Sequence, residues 1–294
     1  MRVPIWVKDF VCFLCVEKQE GGYKYGGTAF FVSIPSELNP EDLNFRTDYL
    51  VTAKHCVEKA KNHGKLFVRV NTLNGPAKVV EITSEWLYCE DEAVDIAVTR
   101  FIPTEPIQHY PIPLISLADD SLLRDYRVEI GNDILIAGLF TQHYGTQRNI
   151  PIVRSGIIAA MPDEPFIERE SGLSYRAYLA EVRSIGGLSG SPVFAVIDNS
   201  PNDARILPGG ASLSHSLFVL GLVRGHWDLK REQTAIDFSG DELEQVNMGI
   251  AIVTPSQELI SLLNRKDIVK DRRKEESEKR KKWAPTSGGK SNGK

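Results

Sequence analysis

Three stretches of this 294-residue chain carry side chains that could act together on one bond: YLVTAKHCVE with His55, AVDIAVTRF with Asp95 and GGLSGSPVF with Ser189. A serine hydroxyl near its free pKa is a poor nucleophile. It needs a base in contact, and a carboxylate that fixes the imidazole tautomer and steadies the imidazolium. His, Asp and Ser in this chain order match one of the recurring arrangements of that constellation. The glycines beside Ser189 add a second element. Attack on a carbonyl puts negative charge on its oxygen, and backbone N–H groups aimed at that point stabilise it. A turn containing Gly187 and Gly190 lets the backbone approach closely and adopt positive φ, so the N–H groups of Gly187 and Ser189 are the expected donors. Asp91, in the loop-like CEDEA, is the second-choice carboxylate; Asp95 is preferred because it opens an apolar strand.

The elements that must position these groups read as short β-branched and aromatic runs, among them GGTAFFVSI, YLVTA, KLFVRV, DIAVTRF, DILIAGLF, SPVFAVI, LFVLGLV and MGIAIV, separated by Gly, Pro, Asn and Asp. Many short strands at this spacing predict an all-β sandwich or barrel. The opening MRVPIWVKDFVCFLCV reads as a first strand. FIPTEPIQHYPIPLISLADD, residues 101–120, is punctuated by proline and reads as a linker, which divides the body into units 1–110, carrying His55 and Asp95, and 111–264, carrying Ser189. Helical periodicity comes late, in TPSQELISLLNRKDIVKD, where Ser256 is the expected cap of a docking helix. Residues 265–294 read as a basic, disordered tail. No internal repeat is visible.

Composition narrows the class. With 42% hydrophobic and 25% charged residues the chain is that of a globular protein. The tail holds 12 Lys or Arg against 5 Asp or Glu, a net +7 that leaves −11 on residues 1–264 of a chain whose formal charge is −4. Contact with nucleic acid is therefore expected only through the tail. No run approaches the ~18 apolar residues of a membrane helix, and no membrane partner is expected. Cys12, Cys15, Cys56 and Cys89 include one CxxC spacing with no second pair, so free thiols and a cytoplasmic location are expected. His63, His109, His143, His215 and His226 lack metal-ligand spacing, and no phosphate-binding glycine motif occurs; neither metal nor cofactor is expected.

Taken together, TAKHC, DIAV and GLSGSPVF resemble the motifs of trypsin-like serine peptidases of the chymotrypsin fold, nearest to the bacterial HtrA-like and glutamyl endopeptidase branches. GTAFFVS, GNDILIAG, SGIIA and MGIAIVTPSQELI fall in the family's order, so the resemblance spans roughly residues 20–264. It implies two six-stranded Greek-key β-barrels with the active site between them, a C-terminal helix, and a serine endopeptidase acting on protein or peptide through a covalent acyl-enzyme. By the same pattern Arg183 and Ser184 line the primary pocket, and Val223, Arg224 and Gly225 pair with substrate backbone as an added strand. An Arg183 or His226 facing that pocket would favour an acidic residue before the cut bond. Two departures stand out. Leu188 replaces the aspartate of relatives activated by cleavage, and Cys56 has no cysteine opposite it near Tyr25, so the histidine-loop disulfide is expected to be absent. The alternative reading is a peptidase-fold binding module, or a latent protease gated by a regulatory protein partner, with the long stretches 198–216 and 228–246 limiting entry.

Overall fold

Runs such as AFFV, YLV, DILIAG and SPVFAV are apolar at consecutive positions, so strands built from them must be covered on both faces. The structure, a computed structural model, describes residues 5–42, 45–102, 106–167, 172–182, 187–198, 215–229 and 246–283. The first half contributes β1 (Val11–Glu17), β2 (Tyr23–Pro35), β3 (Arg46–Thr52), helix α1 (Lys54–Lys61), β4 (Leu66–Thr72), β5 (Lys78–Glu81), β6 (Trp86–Tyr88), β7 (Ala97–Arg100), β8 (Ile107–Gln108) and β9 (Ile112–Pro113). Helix α2 (Asp120–Asp125) follows. The second half contributes β10 (Asp133–Gly138), β11 (Ile152–Ala160), a separate hairpin of β12 (Phe166–Ile167) and β13 (Ser174–Tyr175), β14 (Tyr178–Glu181), β15 (Pro192–Asp198), β16 (His215–Leu229) and β17 (Val246–Pro255).

The second half closes into a six-stranded barrel in the order β10-β11-β14-β17-β16-β15. In the first half the order is β5-β4-β1-β2-β3-β7-β6, and its two edge strands are neighbours in the chain, separated only by residues 82–85. The Ile82 N–H still donates to Leu66 O of β4 (3.0 Å), and Thr99 Oγ1 of β7 donates to Glu85 O (2.8 Å). Segment 78–88 thus acts as one interrupted strand through which the sheet curls round on itself. Counted so, both halves run 1-2-3-6-5-4, a repetition of topology with no visible counterpart in the sequence. The proline-punctuated segment is not the plain linker expected: it adds β8 to β4 and β9, in parallel, to β2. The first sheet therefore reaches past residue 110.

Alternation along each strand sorts side chains into three clusters. Ala29, Phe31, Leu50 and Val68 fill the first barrel, and Ile134, Ile136, Val193, Ala195 and Val253 fill the second. The intervening residues Phe30, Val32, Tyr49, Val51, Leu135, Ala137, Phe194 and Val196 meet in a core shared by both halves. Arg69, only 4% exposed on β4, reaches across as well, donating to Tyr144 O, Thr146 O and Asn149 Oδ1 at 2.8–3.2 Å.

Both chain ends correct the sequence reading. The opening segment is not one strand, because Ile5–Phe10 forms a 3-10 helix whose Val7 is buried in the shared core, and only then does β1 begin. At the other end two helices form, α3 (Ser256–Leu263) and α4 (Lys266–Trp283). Ser256 does not cap α3; Pro255 precedes it, and the Ser256 hydroxyl donates to Ala118 O at 2.5 Å. Residues 266–283 of the expected disordered tail are helical and docked: Ile268, Arg272 and Glu276 are buried. Glu276 accepts from Ser36 Oγ (2.5 Å) and the Glu37 N–H (2.9 Å), Arg272 Nε donates to Glu37 (2.8 Å), and Arg280 pairs with Asp42 (3.0 Å). Among the described residues, no helix is long and apolar enough to cross a membrane.

Candidate active site

Helix α1 begins after Ala53, whose side chain offers no acceptor to the unpaired N–H groups of the first turn. Asp95, in the loop just ahead of β7, supplies one. Its Oδ1 accepts the His55 main-chain N–H at 2.9 Å while Oδ2 accepts Nδ1–H of the same residue at 2.7 Å. One carboxylate thus caps the helix and fixes the ring, leaving Nε2 as the acceptor of a neutral imidazole. Burial disfavours the imidazolium, the hydrogen bond to Asp95 and then the contact with Cys56 favour it, and the balance holds His55 above the ordinary histidine range. Asp91 instead accepts the Ala93 N–H at 2.9 Å and shapes the turn leading to Asp95.

Ser189 lies in the turn before β15, where Gly187 (φ 99°) and Gly190 (φ 81°) take the left-handed conformation. A Cβ on Gly190 would fall 2.3 Å from Thr28 O and from Thr52 Oγ1. The carbonyls of the turn face inward: Gly187 O accepts from Thr28 Oγ1 (2.8 Å), Leu188 O from the Ser191 N–H (2.9 Å) and Ser189 O from the Thr28 N–H (2.9 Å). Among the described residues the N–H groups of Gly187 and Ser189 meet no acceptor. Leu188, where an aspartate would stand in cleavage-activated relatives, is buried among second-barrel apolar side chains.

His55 and half-buried Ser189 line one cavity of about 250 Å³ together with Leu14, Lys24, Gly27 and Cys56. A larger cavity of about 450 Å³ lies elsewhere, around Leu123, Arg127 and Tyr178, and its lining has no nucleophile–base pair. Cys56 Sγ is 3.6 Å from His55 Nε2, and a Cβ on Gly27 would lie 3.1 Å from that sulfur. Gly27, two residues beyond Tyr25, therefore occupies the place from which a cysteine would bridge to Cys56, and all four cysteines are free. Burial pushes the Cys15 and Cys89 thiols up to about 12 and raises Cys12 as well.

The expected substrate-binding residues fare differently. Arg183 and Ser184 lie outside the described residues, as do 199–214 and 230–245 within the two long stretches. Val223 is buried; its carbonyl accepts the Gly190 N–H (2.8 Å) and its N–H donates to Ser191 O (2.9 Å). Arg224 sits in a β-bulge, which re-aims its side chain. Its guanidinium donates to Ala93 O (2.6 Å) and lies 3.8 Å from the Tyr175 ring centre, so the side chain ties the Asp95 loop to the second half. Gly225 pairs with Ile252, and the His226 backbone pairs with Ala251, its side chain lying outside the described atoms. Beyond Val223, β16 pairs with β17 alone among the described residues. Thr28 and Thr52 escaped the sequence reading, although a threonine between Gly27 and the apolar run AFFV was the available signal. Among the described residues, no cluster of His, Cys, Asp or Glu could hold a metal.

Two curled sheets sharing a core, with the His55–Asp95 pair on one and the Ser189 turn on the other, make a chymotrypsin-like fold. The chain belongs to the trypsin-like peptidase domain family, whose model matches residues 27–199, well over half of it. Similar solved structures, each at 14% identity, include Deg5 (TM-score 0.46, covering 86% of this chain and 87% of that one). A catalytically inactive tobacco etch virus protease complexed with substrate gives 0.45, with 91% and 88% covered, and the Drosophila Grass clip serine protease of the Toll pathway gives 0.48, with 88% and 68%. No curated protein matches the sequence.

Proposed function

We propose that this peptidase-family chain is a serine endopeptidase working through His55, Asp95 and Ser189. The observation that carries the reading is the His55–Asp95 pair, bonded at 2.7 Å, beside a cavity that Ser189 also lines. Ser189 Oγ attacks the scissile carbonyl carbon and its proton passes to His55 Nε2, while Asp95 steadies the imidazolium. The carbonyl oxygen, now negative, is held by the N–H groups of Gly187 and Ser189. Collapse expels the amine, which takes the proton from Nε2, and leaves an acyl-enzyme that water hydrolyses by the same steps. Substrate backbone adds alongside β16 beyond Val223, where the edge opposite β17 is open among the described residues. Four free thiols suit a reducing, cytoplasmic setting.

A fluorophosphonate probe tests the reading. The wild-type chain is expected to label, and Ser189→Ala and His55→Ala to lose labelling. Persistent labelling of Ser189→Ala would mean that another serine is the nucleophile. An unlabelled wild type would favour the binding module or a latent enzyme gated by a partner.

A further inference from the structure

We propose that Thr28, on β2 of the first half, is the positioning residue that sets the two oxyanion donors on the turn of the second half; this rests on the serine-peptidase reading above. Within one trans peptide unit the N–H and C=O point in opposite directions. The bond from the Ser191 N–H to Leu188 O (2.9 Å) therefore turns the Ser189 N–H the other way, out of the turn. Thr28 holds the peptide units on either side of that one: its hydroxyl donates to Gly187 O (2.8 Å) and its main-chain N–H donates to Ser189 O (2.9 Å).

The direction of the hydroxyl bond is forced. Thr28 Oγ1 also receives the Leu139 N–H at 2.9 Å, and an N–H can only donate, so the single hydroxyl proton goes to Gly187 O. Thr28 O in turn accepts Thr52 Oγ1 at 2.7 Å, and the residue is fully buried. Every polar group of Thr28 is thus committed, two of them to the turn. Such a clamp matters here because glycine constrains its own torsions weakly. With Gly187 at φ 99°, the unit carrying its carbonyl would otherwise swing freely, and the N–H on its other side would lose its aim.

Full-length Thr28→Val, which keeps the shape and removes the hydroxyl, and Thr28→Ser, which restores it, are compared with wild type by the saturation kinetics of fluorophosphonate labelling. The phosphoryl oxygen of this probe occupies the oxyanion position. Thr28→Val is expected to lower the maximal labelling rate by about 10–100-fold with the half-saturating probe concentration within about threefold of wild type, and Thr28→Ser to recover to within about threefold. If Thr28→Val loses the wild-type circular dichroism, Thr28→Ala carries the same expectation. A wild-type maximal rate in the hydroxyl-free variant, or a Thr28→Ser as slow as it, overturns the proposal alone. An unlabelled wild-type chain overturns the reading as an active serine endopeptidase and the proposal with it.

Discussion

A single carboxylate performs two tasks at His55, bonding the helix N–H and the ring, so Asp95 governs both where the imidazole sits and how readily it holds a proton. General-base work needs the neutral ring. Because the folded environment raises its pKa, the acid limb of kcat/KM, or of the fluorophosphonate labelling rate, is expected above the ordinary value of ~6.5. Asp95→Asn should move that limb down and lower the rate by about 10⁴. A limb at or below ~6.5 in the wild-type chain would mean that burial outweighs the bond to Asp95. The same shift feeds stability: the pair's contribution is complete below the unfolded pKa and fades as pH rises through the folded one. At this scale the sequence was most legible where chemistry dictates residue type. Imidazole, carboxylate and hydroxyl have few substitutes, whereas Thr28 acts through direction and reach, and nothing in its type announces a partner at position 187. The partner of the Arg224 side chain was hidden for the same reason, since a bulge that re-aims a side chain leaves no mark on composition.

Helix α4 shows how charge can conceal a docked element. RRKEESEKRKKW reads as a solvated run, yet Arg272, Glu275, Glu276 and Arg280 each find a partner on the first half. The helical periodicity that runs on through Ile268 and Val269, and the i,i+4 spacing of Glu276 and Arg280, hinted at a helix with an inner face. Ending the chain at Asn264 would expose the surface around Tyr49 and leave Glu37 and Arg100 without these partners. Losing the burial of Ile268 and the buried hydrogen bonds should cost roughly 3 kcal/mol, a fall in Tm of roughly 6–12 °C. An unchanged melting curve would show that the contacts contribute nothing. Burial alone would raise the Glu276 carboxyl, but bonds from Ser36, Arg280 and the Glu37 and Leu38 N–H groups outweigh it and hold it below the usual glutamate range. Its contribution is accordingly present above the unfolded pKa and lost as pH falls through the folded one.

At the scale of the whole molecule, the passage from the first sheet to the second barrel is no gap in packing. Phe30 and Tyr49 share one core with Leu135 and Phe194, Arg69 holds residues 144–149 from across the seam, and Thr28 spans it beside Ser189. Urea unfolding is therefore expected to give one transition, superimposable by tryptophan fluorescence and far-ultraviolet circular dichroism. Two separated transitions would mean that the halves are energetically independent. The strand-rich class was readable from β-branched runs between turn residues. Their pairing was not, because AFFV and DILIAG are apolar on both faces and so do not disclose which neighbour covers which side. The repeated 1-2-3-6-5-4 order is likewise a property of backbone pairing that unrelated side chains satisfy equally well.

Ser36 and Glu276 are 240 positions apart, yet they touch. During translation, the segment just after β2 that receives α4 emerges early and stays uncovered until residues 266–283 have been made, since the closing contact comes from that helix. Long-range closure of this kind is slow and leaves partly built chains open to wrong associations. A ribosome that stalls before residue 266 would release a polypeptide with both barrels encoded but this seam unsealed, making it a ready client for chaperones and proteolytic clearance.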